Sequence, residues 1–293
     1  MTKLSGVLPA LVTPFDANNK IDFKALEAHM TMLREAGVSG WVPCGSTGEY
    51  FSMSNAEREE VLRFVKDFAI EGEQLVAGTN APATREVIAN TERAMEWGYD
   101  TVLLATPFYT RPTDAELLAH YRAVLDATNV NLVLYNYPPK DGIEISFDLM
   151  DALADDARVI GIKESSGVLQ RAVDIHMRYK GKIDLVSGSD DIALDFMFWG
   201  ADAWICGPSN CMAKPCVDLD RAYRAGDMDR ARDIMATLYR AMNILESGKF
   251  VQKIKYGCEL QGTPVGTCRA PLGELDADEK AALKAAMQPI LGW

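Results

Sequence analysis

Short apolar, largely β-branched runs recur eight times, at residues 8–12, 40–43, 75–78, 101–105, 131–135, 159–163, 183–187 and 203–206. Between most of them lies a stretch whose apolar residues are spaced by three and four, such as Phe23, Leu26, His29, Met30 and Leu33, or Val61, Leu62, Val65 and Phe68. The first pattern is that of strands buried on both faces and the second that of amphipathic helices, so the alternation predicts repeated βα units and a parallel sheet. Eight such units are the number that closes a barrel, although an open doubly wound sheet fits the alternation as well. The expectation is an α/β fold, a (β/α)8 TIM barrel with a C-terminal helical extension. After residue 213 the alternation stops, and residues 216–223, 228–245, 250–260 and 277–290 have helical patterns broken at Gly226-Asp227 and Gly262-Thr263-Pro264. The barrel is therefore assigned to residues 1–225 and the extension to 226–293.

Charge and cysteine content narrow the function. The 293 residues carry 42 acidic against 30 basic side chains, a formal charge of −12. Such a surplus repels nucleic acid and anionic membranes, so neither is an expected partner. It also repels an acidic substrate, which must then find positive potential supplied locally. The six cysteines form no C-x-x-C pair, and a chain this long needs no disulfide staples, which points to free thiols in a reducing cytoplasm. Cys206, Cys211 and Cys216 are evenly spaced, but none of the three histidines lies near them in sequence, so no metal site is expected. The apolar start from Leu4 to Phe15 is interrupted by Pro9 and Pro14 and reads as a first strand, not a signal peptide. No run approaches the roughly 18 apolar residues of a membrane span.

In a barrel the chemistry sits where strands end. The sixth run ends Gly161-Ile162-Lys163, and Glu164-Ser165-Ser166 follows. Desolvation favours the neutral amine of a lysine placed there, which could attack a carbonyl carbon, making Lys163 a candidate Schiff-base former. A lysine paired with Glu164, or snorkelling to the rim, is the competing structural reading. The fifth run ends at Tyr135, at corresponding depth. Adjacent strands are about 4.8 Å apart, so a phenol there could move protons for an amine at position 163; a tyrosine that merely fills the interior is the alternative. The second run leads into Gly45-Ser46-Thr47-Gly48-Glu49, whose glycines permit a tight turn and whose hydroxyls and amides could hold a carboxylate. It lacks the Lys-Ser/Thr of a phosphate loop. The aromatic loop 107–112 follows the fourth run. After the seventh, Asp190 and Asp191 oppose a phosphate and read as caps for the next helix. With no histidine at a strand end and no G-x-G-x-x-G, hydrolysis by a Ser-His-Asp triad, three-ligand zinc chemistry and dinucleotide binding all lack their parts.

Taken together, Gly45-Ser46-Thr47-Gly48-Glu49, Tyr135-Asn136-Tyr137-Pro138 and Gly161-Ile162-Lys163-Glu164-Ser165-Ser166 resemble the dihydrodipicolinate synthase and N-acetylneuraminate lyase family of class I aldolases, with order and spacing matching from Gly6 to about Leu275. The resemblance implies a homotetrameric barrel without metal or organic cofactor. In it Lys163 would form an imine with C2 of pyruvate or another 2-oxo acid and Tyr135 would shuttle protons. Ser46 and Thr47 would relay protons and, with Gly45, bind the carboxylate. Tyr109 would match a tyrosine that family members contribute across a subunit interface, while Gly188 and Ile205 would line the pocket.

Departures from the family bear on the subtype. Where dihydrodipicolinate synthases carry an arginine that grips the second substrate's carboxylate, this chain has Pro138-Pro139-Lys140-Asp141. Lys140 keeps the charge without the planar fork of a guanidinium, which argues against that synthesis. Asn55, Arg58, Pro82 and Phe108 replace residues common at the family's lysine-feedback site, so no inhibition by lysine is expected. The leading expectation is an aldolase or lyase of 2-keto-3-deoxy sugar acids or similar compounds. Alternatives are a dehydratase or deaminase using the same imine, a 4-hydroxy-tetrahydrodipicolinate synthase, and a noncatalytic 2-oxo-acid-binding barrel.

Overall fold

A computed structural model describes residues 3–293, and the described residues divide into two compact units that do not follow chain order. Residues 74–205, together with 3–5, form one. Residues 6–73 and 206–293 form the other. All eight expected runs take up strands. These are β1 (Gly6–Pro9), β2 (Gly40–Trp41), β3 (Gln74–Leu75), β4 (Ala77–Gly78), β5 (Thr101–Ala105), β6 (Asn131–Asn136), β7 (Val159–Glu164), β8 (Asp184–Ser187) and β9 (Ala203–Cys206), with the third run split into β3 and β4.

In the first unit β4 to β9 lie side by side in chain order, and every pair is parallel. Leu132, Val133 and Leu134 of β6 are fully buried, as a sheet covered on both faces requires. Amphipathic helices return the chain between strands. Asp114–Ala127 starts in a capping box between Thr113 and Glu116, and Phe147–Leu153 starts with the Ser146 hydroxyl accepting from the Leu149 N–H. Parallel pairing brings the ends of consecutive strands into line, with Leu103 opposite Val133, Tyr135 opposite Lys163, and Lys163 opposite Val186.

The second unit carries β1, β2 and the C-terminal helices. The first strand falls short of the expected residue 12 because its later amides go elsewhere. Ala10 donates to the Cys206 carbonyl, Leu11 to that of Val42, and Val12 to the side chain of Asn210. The second run ends early because Pro43 has no N–H to give and Cys44 turns the chain at φ 57°. Four helices occupy the region after residue 208, Ser209–Arg224, Met228–Glu246, Phe250–Leu260 and Ala277–Met287. The first starts seven residues before the expected 216 because it runs through a kink at Met212, ahead of Pro215. Helix Phe23–Ala36 buries Leu26, Met30 and Leu33 completely and stops at Gly37, whose φ of 94° costs a glycine nothing.

Candidate active site

Successive side chains of a strand point to opposite faces, and that alternation separates Lys163 from Glu164. The Glu164 carboxylate, fully buried, accepts from Asn136 Nδ2 (2.8 Å), Arg171 Nε (3.0 Å) and the Ser166 amide (2.7 Å). Arg171 also donates to the Ile145 carbonyl, and Asn136 Oδ1 accepts from the Ile145 amide. Glu164 is thus engaged by the wall behind the strand ends. Lys163 lies across the other face, 6% exposed, with Nζ 4.1 Å from the centre of the Tyr135 ring. A phenol and an amine from paired residues of neighbouring strands therefore meet, as the sequence pattern predicts.

The space for the lysine depends on Gly188. A Cβ at that position would stand 2.8 Å from Lys163 Cγ and 2.9 Å from Cε, and would overlap Ser165 Oγ. Ser165 Oγ donates to the Gly188 carbonyl at 2.9 Å, and the Gly188 amide donates to the Glu164 carbonyl at 3.0 Å, so backbone and side chain are fixed together. Ile205 is fully buried in β9. Asp190 does not cap the following helix as expected; it accepts the indole N–H of Trp204 at 2.8 Å.

Beyond Tyr135 the chain turns through Pro138–Asp141, a single helical turn closed by Gly142 at φ 72°. Two consecutive prolines suggest a loop, and this turn was not foreseen. It stacks Tyr137 on Tyr135, with ring centres 5.8 Å apart, and places Lys140 Nζ 5.3 Å from the Tyr137 ring. Asp141 accepts from Thr106 Oγ1 at 3.2 Å. Tyr109, in the loop after β5, is 92% exposed and held at φ 72°. The structure therefore brings Lys163, Tyr135 and Gly188 together, with Lys140 reached through Tyr137, while Tyr109 stands apart from them in solvent.

In the second unit, Gly45–Glu49 is a tight double turn. The amides of Gly48 and Glu49 return to the carbonyls of Gly45 and Ser46, and Cys44 and Glu49 take left-handed φ of 57° and 56°. Gly48 is required, since a Cβ there would meet the Leu11 carbonyl oxygen at 2.8 Å. Among the described residues the amides of Gly45, Ser46 and Thr47 take no partner. Three successive N–H groups of this kind are suited to an anion. Ser46 is half-buried and Thr47 buried.

Sequence reasoning missed what holds this turn. Glu49 is fully buried against Lys255 Nζ at 2.6 Å and accepts the Arg269 amide at 3.0 Å. Lys255 further donates to the carbonyls of Thr13 and Thr267, each at 2.9 Å. Cys268 lies beside this pair, and burial and the Glu49 charge push its thiol up to about 12, which leaves it unreactive. Helix Phe250–Leu260 opens Phe-Val-Gln-Lys-Ile-Lys, and nothing in that run sets Lys255 apart from Lys253. Two of the three histidines are buried within helices, away from the strand ends. His29 Nε2 pairs with Asn210 Oδ1 at 3.2 Å and His120 Nδ1 with Thr84 Oγ1 at 2.9 Å, and burial lowers each to about 4.

Comparison with known proteins adds an independent line. A model of the dihydrodipicolinate synthetase family matches residues 3–290. An uncharacterized DapA-like lyase of Halobacterium salinarum is 34% identical over 291 residues, covering 98% of this chain and 94% of its own. A 4-hydroxy-tetrahydrodipicolinate synthase of Methanothrix thermoacetophila is 33% identical over 283 residues, 95% of this chain and 94% of its own. Among solved structures, the chloride-inhibited dihydrodipicolinate synthase of Acinetobacter baumannii complexed with pyruvate superposes with a TM-score of 0.94 at 30% identity, covering 98% of this chain and 99% of its own.

Proposed function

Because the chain belongs to the dihydrodipicolinate synthetase family, whose members are class I, Schiff-base lyases, we propose that Lys163 is the imine-forming amine and that pyruvate or a related 2-oxo acid is its partner. The observation that carries the reading is the buried Lys163 amine lying 4.1 Å from the Tyr135 ring, in a space that Gly188 leaves open. The amine attacks C2 of the oxo acid. Tyr135 delivers a proton to the carbinolamine oxygen so that water leaves; as its phenolate takes the C4 hydroxyl proton, the C4 oxygen becomes the carbonyl of a departing aldehyde and the C3–C4 electron pair passes to the protonated imine. The resulting enamine takes a proton at C3, and water releases pyruvate from the lysine. Ser46 and Thr47 serve as proton relay and, with Gly45, as carboxylate holders, a role supported by their three unspent amides. Ile205 lines the pocket. Tyr109, an exposed aromatic in the loop after β5, is assigned to a neighbouring copy's site in a homotetramer. No cofactor enters the scheme. The eight βα repeats are read as a closed (β/α)8 barrel over 1–225 with the helical extension over 226–293, in the cytoplasm.

For the second substrate, Lys140 is the binding group. A single lysine in place of a forked guanidinium favours aldol cleavage of a 2-keto-3-deoxy sugar acid over a reaction whose second substrate needs a bidentate grip. The name of the Methanothrix relative favours the other reading, 4-hydroxy-tetrahydrodipicolinate synthesis. Assays of pyruvate with glyceraldehyde and with aspartate semialdehyde separate the two.

The imine itself is tested by incubating the protein with pyruvate and borohydride. The adduct is expected on the peptide containing Lys163 and should vanish in Lys163→Ala. Adduct on another lysine, or none, overturns the assignment. Tyr135→Phe should slow trapping on the order of 100-fold, the usual cost of removing a general acid–base group.

A further inference from the structure

The turn Gly45–Glu49 leaves three amides unspent, but amides hold an anion well only when their backbone is fixed beforehand. Its last residue is the weak point. Glu49 sits at φ 56°, a left-handed conformation that disfavours any residue with a Cβ, and its own amide closes the turn by returning to the Ser46 carbonyl. We propose that Lys255 is a positioning residue for the carboxylate of the 2-oxo acid: its buried ammonium grips Glu49 and Thr13 together and so keeps the amides of Gly45, Ser46 and Thr47 available to an anion. The inference rests on the reading of this turn as the carboxylate holder for the Lys163 imine, and it names what sets the holder's affinity.

The contacts form a closed circuit. An ammonium has three donors, and Lys255 Nζ meets three acceptors: Glu49 Oε1 at 2.6 Å and the carbonyls of Thr13 and Thr267, each at 2.9 Å. Thr13 in turn donates from its hydroxyl to the Gly48 carbonyl at 2.8 Å, at the peptide that leads into Glu49. Lys255 therefore holds the end of the turn twice, once by a side chain and once, through Thr13, by the backbone. Lys255 Nζ and the Arg269 guanidinium also lie 4.4 and 4.1 Å from the centre of the Phe15 ring, just along the chain from Thr13. Glu49, Thr13 and Lys255 are all buried, so water does not compete for these contacts.

Without the lysine, the Glu49 side chain loses the cation that ties it down, and residue 49 is free to relax toward an ordinary negative φ. That relaxation swings the peptide between Gly48 and Glu49, breaks the closure onto Ser46 and lets the three amides turn away from one another. Lys163 and Tyr135 lie on β7 and β6 and share none of these contacts. The loss therefore falls on capture of the oxo acid, while the attack of the amine on a captured molecule keeps its rate.

The test follows borohydride trapping on Lys163 over a range of pyruvate concentrations, which separates the half-saturating concentration from the limiting rate. Lys255→Met combined with Glu49→Gln leaves no lone buried charge, and the glutamine can still accept from the Arg269 amide. In this double variant the half-saturating pyruvate concentration should rise about tenfold, the scale of one lost hydrogen bond to a charged group, with the limiting rate near wild type. Thr13→Val removes no charge, and it carries the test if the double variant does not fold. It should raise the half-saturating concentration about threefold, the scale of one neutral hydrogen bond, and Thr13→Ser, which keeps the hydroxyl, should restore the wild-type value. A half-saturating concentration unchanged in a folded variant, a loss confined to the limiting rate, or a Thr13→Ser variant no better than Thr13→Val overturns the proposal and leaves the Lys163 imine standing. Wild-type protein that gives no adduct on Lys163 overturns the imine reading and this inference with it.

Discussion

Gly188 matters for the side chain it lacks. Lys163 runs past it so closely that a single methyl would stand 2.8 Å from Cγ, inside any real carbon–carbon contact, and would also meet the hydroxyl that ties Ser165 to the Gly188 carbonyl. Neither neighbour can retreat easily, because Lys163 is pinned between strands and Ser165 is buried. Gly188→Ala should therefore tilt the amine away from Tyr135. We expect pyruvate trapping to slow at least 100-fold, the scale on which misplacing a reacting group by about 1 Å is felt. The far-ultraviolet circular dichroism should stay wild-type. Trapping at the normal rate in a folded Gly188→Ala variant would show that the amine does not depend on this gap. The same residue scale explains the opposite fates of Lys163 and Glu164, which are chain neighbours. The strand's two-residue period sends one toward Tyr135 and the other into the wall.

At the scale of elements, that wall ties β6, β7 and the helix Leu169–Tyr179 into one piece. Glu164 has no exposed surface, and Arg171 is its cation, with a second and more exposed partner in Glu144 at 2.9 Å. Removing one member of a buried pair leaves the other charge uncompensated, at about 3–5 kcal/mol. Arg171→Met should lower the urea midpoint accordingly, and Arg171→Met combined with Glu164→Gln should recover part of the loss, since an amide needs no counter-charge. A single variant as stable as wild type would remove the network from the account. The strands it joins were legible in sequence because burial on both faces writes itself as unbroken apolar runs, and Lys163 stood out because it interrupts one. The partners were not legible. Glu49 and Lys255 lie 206 positions apart in number, and nothing local in either segment marks them as a pair. The turn Pro138–Asp141 was hidden for another reason: proline suits the first position of a helix, yet in tandem it reads as coil.

For the molecule as a whole, the charge of −12 and the buried cations belong to the same economy of electrostatics: the surface is acidic, while Arg171 and Lys255 are each withdrawn from it. Acid therefore reaches the fold through its histidines as well as its carboxylates. His29 and His120 are held neutral, at about 4 in the folded chain against an ordinary value near 6.5. Between those values the unfolded chain binds more protons than the folded one, so stability rises with pH through the window and falls as pH drops from about 6.5 toward 4. Each buried histidine contributes up to about 1.4 kcal/mol per pH unit there, on the order of 3 kcal/mol across the interval. Urea midpoints measured from pH 7 to 5 should fall steeply. His29→Gln, whose amide can still donate to Asn210, should flatten the slope by nearly one proton's worth and His120→Gln by a similar step, the two adding because the residues lie in separate units. A slope identical in wild type and both variants would mean that these rings already carry their protons in the folded chain, and that burial is not what sets its acid limit.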